Sequence, residues 1–143
     1  MQHKLDPVFN IFPKWRALLR TAAADKGSPF EVLEVPAPEG SDAAAGLLVS
    51  TANGAITVSF DVHDSRFDGW AGDAGALEYI RRLVTERVAV VSWWCGGRWC
   101  GSGQLEAGQR PEVPSGLAGM GVDRIRVRSW RGALNANVER SAR

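Results

Sequence analysis

Phe9, Phe12, Trp15, Leu18 and Leu19 recur at helical spacing after Pro7, which predicts a first amphipathic helix over residues 8–24, ending at Gly27, with Pro13 as the point where it would split. Residues 30–35 (Phe-Glu-Val-Leu-Glu-Val) read as a short strand stopped by Pro36, and the stretch through Pro38, Gly40 and Ser41 as a loop. Residues 47–50 and 55–62 flank Asn53-Gly54, the dipeptide that best accepts the positive φ angles of a tight hairpin turn, so this region is a β-hairpin. Residues 64–75, with Gly69, Gly72 and three aspartates, suit a polar loop. A second helix follows, with Ala76, Leu77, Tyr79, Ile80, Leu83 and Val84 as its apolar stripe, Glu78, Arg81, Arg82 and Glu86 outside, and Asp73 placed to cap its start.

Residues 88–95 form a continuous apolar run ended by Gly96-Gly97, and residues 98–104 return as the second arm of a hairpin. A two-residue turn sets Trp94 opposite Trp99 and leaves Cys95 and Cys100 diagonal, roughly 7–8 Å apart at Cα, too far for an easy bridge. Residues 108–121 read as a glycine-rich surface loop. Arg124, Arg126 and Arg128 alternate with Ile125, Val127 and Ser129, so this strand buries one face and lines three guanidinium groups along the other. Residues 133–138 make a last strand. Connections this short require antiparallel pairing, and the expected fold is α+β: a twisted, mainly antiparallel sheet of about five to seven strands with two helices packed on one face.

The 143 residues are 45% hydrophobic and 23% charged, ordinary for one globular domain spanning 1–143. A chain of this length buries roughly 68–70% of its unfolded surface, so it needs neither disulfides nor a metal to hold a core. No run of 18 uncharged apolar residues and no apolar leader segment is present, which reads as a cytoplasmic protein without a membrane span. Two cysteines are too few for a zinc site unless His3 and His63 both join them.

The net charge of +1 hides a segregation. Residues 1–26 carry five positive and two negative groups, residues 27–80 nine carboxylates against the single Arg66, and residues 81–143 eleven arginines against five acids. Either the two signs meet in the folded state, or the acidic block serves a partner.

The search for catalytic chemistry finds little. Phosphate-cradling and dinucleotide glycine patterns and a Gly-x-Ser-x-Gly elbow are missing, and Gly101-Ser102-Gly103 falls inside an expected strand, where glycines serve packing. Alternation would put Asp61 and His63 on one strand face with Asp64 and Asp68 beyond, a set that would orient a general base or hold a hard divalent cation, or else simply terminate a solvated strand. Six tryptophans raise the question of base stacking, yet Trp93, Trp94 and Trp99 lie in the most apolar hairpin, where packing is the simpler role. The arginine row suits phosphate binding or pairing with acids across the sheet.

Five pieces of the chain carry a resemblance: Ile56-Thr57-Val58-Ser59-Phe60; His63 with Arg66-Phe67-Asp68; Ala76-Leu77-Glu78-Tyr79-Ile80; Val91-Ser92-Trp93-Trp94 with Trp99-Cys100-Gly101-Ser102; and residues 126–132 (Arg-Val-Arg-Ser-Trp-Arg-Gly). Together they resemble small bacterial immunity proteins of contact-dependent-inhibition and related polymorphic toxin systems, with Ser65 standing where that group more often has a second histidine. The resemblance implies a non-enzymatic inhibitor without cofactor or metal, whose partner is a cognate toxin C-terminal domain, and no direct contact with nucleic acid. An acidic surface complements a nuclease, whose substrate face must be positive. Asp61, His63, Asp64, Asp68, Trp70, Asp73 and Glu78 are the expected partner-binding residues, with Trp70 as aromatic anchor. The alternatives are a small nucleic-acid-binding or nuclease-like domain using Arg124, Arg126 and Arg128 with tryptophans, and a metal-dependent enzyme centred on Asp61, His63 and Asp64.

Overall fold

The structure, a computed structural model, describes residues 4–22, 29–52, 54–69 and 71–140. Its strands pair antiparallel throughout, and the α+β class expected from the pattern holds. The strands form two sheets rather than one and number nine among the described residues. The first sheet runs β1 (Leu19–Ala22), β2 (Phe30–Val35), β3 (Leu47–Ala52), β4 (Ala55–Phe60) and β5 (His63–Phe67) in chain order. The second is built from β6 (Val88–Cys95), β7 (Arg98–Glu106), β8 (Arg124–Arg128) and β9 (Ala136–Glu139), in the order β7-β6-β8-β9. Among the described residues two α-helices, α1 (Asp6–Ile11) and α2 (Gly72–Val84), accompany the sheets.

The expected helix over residues 8–24 is replaced by three elements. Helix α1 stops at Ile11, a 3-10 segment spans Pro13–Leu18, and Leu19–Ala22 is strand β1. Pro13 lacks the N–H that would continue the helical ladder, and β2 offers the chain a full antiparallel partner with Leu19 opposite Leu33. The end of the expected helix, Ala24 to Gly27, lies outside the described residues. The expected loop over residues 64–75 is also corrected. Asp61 and Val62 form a tight turn, and residues 63–67 come back as β5 with His63 opposite Phe60 and Phe67 opposite Ile56. The inward positions His63, Ser65 and Phe67 alternate with exposed Asp64 and Arg66, a period-2 signal that the dense aspartates obscure.

Alternation places Leu33, Val35, Leu47, Val49, Ile56, Val58 and Phe60 on one face of the first sheet, all buried. Onto that face pack Leu5, just before α1, Val8 and Phe9 of α1, and Ala76, Tyr79, Ile80 and Leu83 of α2. Val88 and Val90 of β6 and Trp130 join the same cluster, so the two sheets share a core. The other face of β6 builds a second cluster, Ala89 and Val91 with Ile125, Val127 and Val122. Trp93 packs against this cluster and lies over β7: a Cβ on Gly103 would stand 3.4 Å from its ring, and one on Gly101 3.3 Å from Leu117. These glycines make room for an indole and the loop above it, the packing role expected of them.

Trp94 does face Trp99 across the hairpin, but Cys95 and Cys100 are joined in a disulfide with a Cα–Cα separation of 6.2 Å, against the separation expected. A bulge accounts for the difference. Trp94 pairs with Trp99 while Trp93 pairs with Gly101, so Cys100 is an extra residue that the ladder leaves unpaired and turns toward Cys95.

Candidate functional site

Side-chain contacts fasten the first sheet and its β2–β3 loop to the second. His63 Nδ1 lies 2.8 Å from Ser102 Oγ, Gln104 Nε2 donates to Ser65 Oγ at 3.2 Å, and buried Ser41 donates to the Ser129 carbonyl at 2.8 Å. The loop between β2 and β3 is thereby held against β8, where Arg126 Nη2 donates to the Asp42 carbonyl at 2.7 Å and Arg128 Nε to the same oxygen at 3.1 Å.

The seven residues expected to bind a partner do not form one surface. Asp61 sits in the β4–β5 turn at φ 57, a conformation aspartate tolerates, and its side chain is 1% exposed. Its Oδ1 accepts from the Ala44 amide at 2.7 Å and lies 3.9 Å from Arg126 Nη2, so it latches a loop instead of facing solvent, and it does not share a strand face with His63. His63 is half-buried at the sheet seam. Burial pushes its imidazole below the ordinary range, against the pull of the neighbouring Asp64 carboxylate, which favours the neutral ring in the Ser102 contact. Asp64 is exposed on the opposite side of β5.

Asp68 is exposed and clasped by Arg66 Nε at 3.0 and 3.1 Å. Asp73 lies in the first turn of α2 without capping it and pairs with Lys4 at 2.7 Å. Glu78 is on the exposed side of α2. Trp70 lies outside the described residues. Among the described residues, carboxylates of the 27–80 block meet cations within the fold: Glu34 with Arg20, Asp42 with Arg128, Asp61 with Arg126, Asp68 with Arg66 and Asp73 with Lys4. The segregation visible in the sequence is thus partly consumed by folding.

The His63–Ser102 contact places a neutral imidazole on a hydroxyl, the geometry of a base and a nucleophile. Asp61 is turned to Ala44 and Arg126, and Asp64 is on the far side of the strand, so neither orients the ring as a third member would. Among the described residues no three His, Cys, Asp or Glu side chains gather as a metal-binding group.

A different surface comes together on the second sheet. Register sets Asn137, Arg126, Ser92 and Ser102 in one row across the four strands, and Glu139, Arg124, Trp94 and Trp99 in the next. Trp94 donates from Nε1 to Ser92 Oγ at 2.9 Å, and the Arg124 guanidinium stands over its ring at 5.4 Å. Trp99 is 52% exposed. It belongs with Arg98 at the tip of a hairpin held by the Gly96-Gly97 turn and the disulfide. Composition points to packing for these indoles; only the register, which sets Trp94 beside three polar positions, could have marked this face.

The fold and this surface define an α+β protein with two antiparallel sheets sharing a core and a half-polar second sheet. No family model matches the chain, and no curated protein and no solved structure matches it either. Among the described residues no helix is long and apolar enough to cross a membrane.

Proposed function

We propose that this protein acts by binding another protein, as an immunity protein that occludes the active site of a cognate toxin C-terminal domain in the cytoplasm, without catalysis and without a cofactor. The observation that carries the reading is Trp99: a large indole more than half exposed, beside Arg98, at the tip of a doubly fastened hairpin. Tryptophan and arginine dominate the energetics of protein interfaces, and a pre-ordered tip loses little entropy on docking. Exposed Asp64 and Glu78 add a negative field that would steer a cationic nuclease. The resemblance in residues 56–138 points the same way.

The test is co-expression with the toxin domain encoded beside the gene, scored by rescue of growth and by affinity. Trp99→Ala and Asp64→Lys are expected to weaken binding, with Lys14→Glu as a charge-change control. Failure to bind or protect, or an affinity indifferent to Trp99 and Asp64, would overturn the reading.

A second reading, single-stranded nucleic-acid binding, draws on Arg124 over Trp94. It is the weaker one, because Arg126 and Arg128 are turned onto the Asp42 loop and do not extend a cationic track.

A further inference from the structure

We propose that the second sheet carries a binding site for a phosphate group, taken either as the free ion or as the phosphate of a mononucleotide. A cavity of about 280 Å3 is lined by Asp42, Arg124, Arg126, Arg128, Asn137 and Glu139. Three arginines alternating on β8 project from the same side of the sheet, roughly 7 Å apart along the strand.

Their donors are used unequally. Arg128, 6% exposed, is spent on the Asp42 carbonyl and carboxylate and on the Val127 and Ala136 carbonyls. Arg126, 18% exposed, gives Nη2 to the Asp42 carbonyl, while its buried Nε has no acceptor among the described residues. Arg124 is exposed, stands over Trp94, and makes no ion pair among the described residues. Asn137 adds an exposed amide. A buried donor on a cation without an acceptor is costly, so the cavity favours an incoming oxyanion.

The shape selects phosphate. Two guanidiniums and an amide stand side by side on one sheet face, and together they offer more donors than a planar carboxylate accepts, which suits a tetrahedral anion with several acceptor oxygens. A second cavity of about 290 Å3, lined by Trp94, Gly97, Asp123, Arg124, Glu139 and Arg140, meets the first at Arg124 and Glu139. A nucleotide with its phosphate at Arg124 and Arg126 would have the Trp94 ring beside its base. A polynucleotide fits less well, since Arg128 is sealed and Glu139 interrupts the positive surface.

The experiment titrates the full chain with inorganic phosphate and, separately, with adenosine monophosphate at constant ionic strength, followed by calorimetry and tryptophan fluorescence. Saturable binding is expected, with a Kd for phosphate on the order of 1 mM. Tighter binding and indole quenching by the nucleotide would assign the nucleotide as occupant, and equal affinities the free ion. Exposed Arg124 and Glu139 can be changed without touching the core: Arg124→Gln is expected to weaken binding about tenfold, and Glu139→Gln, which removes the one carboxylate facing Arg124 in register, to tighten it a few-fold. No saturation by either ligand, an Arg124→Gln affinity equal to that of the parent, or binding seen only with oligonucleotides would each overturn the proposal.

Discussion

His63 on β5 and Ser102 on β7 belong to different sheets, yet their side chains meet at 2.8 Å and join the two sheet edges. Ser65 and Gln104 repeat the contact two residues further along each strand. This seam, with the Asp42 loop on β8, holds the second sheet's polar face in place.

The seam makes stability depend on pH with a definite sign. Burial holds the folded His63 imidazole below its ordinary value of 6.5, so the unfolded chain takes up the proton more readily. The seam's contribution is therefore complete above about pH 6.5 and is lost as the pH falls from there through the depressed folded value. The melting temperature is expected to fall between pH 7.5 and 5 more steeply in the parent than in His63→Asn, which keeps a hydrogen-bonding group beside Ser102 but cannot titrate. Identical slopes would remove His63 as the cause.

Gly132 is a second point of strain control. Its φ is +91, and a Cβ there would stand 2.2 Å from the Gly40 carbonyl oxygen. Gly132→Ala is expected to cost at least about 2 kcal/mol in denaturant unfolding, from the left-handed backbone penalty together with the displaced 36–46 loop. Gly116→Ala, where a Cβ meets nothing within 4 Å, should leave the midpoint unchanged.

The Cys95–Cys100 bridge closes a loop of sequence separation 5 that the Gly96-Gly97 turn already closes. Short loops lose little entropy on cross-linking, so reduction is expected to lower stability by at most about 2 kcal/mol. A thermal melt with and without reductant measures this, and thiol labelling of the unreduced protein should find neither cysteine reactive.

Trp94 and Trp99, opposite one another, should respond differently to truncation. Trp94→Ala removes a half-buried ring, its bond to Ser92 and the surface under Arg124, at a cost of about 1–3 kcal/mol, below that of a fully buried indole. Trp99→Ala, on a ring 52% exposed, should cost under about 1 kcal/mol while weakening partner binding. Equal stability losses would make Trp99 a packing residue.

The sequence by itself determined the elements whose signals are local. Residues 30–35 end at a proline, Asn53-Gly54 and Gly96-Gly97 fix two hairpins, and the stripe of α2 buries Ala76, Tyr79, Ile80 and Leu83 as its spacing requires. These rest on turn chemistry and on periodicities within one segment. The remainder depended on partners distant in the chain. Leu19–Ala22 has helical spacing but becomes a strand because β2 supplies its ladder, and residues 63–67 become β5 because the turn at Asp61 returns the chain along β4. Asp61 is an acid in an acidic run until Ala44 and Arg126 close on it, and three arginines of equal appearance become one sealed, one half-buried and one exposed only when the Asp42 loop lands on β8. Which polar side chains support the fold and which remain for a ligand is a matter of who buries them, and burial of a charge is set by elements that the sequence places dozens of residues away.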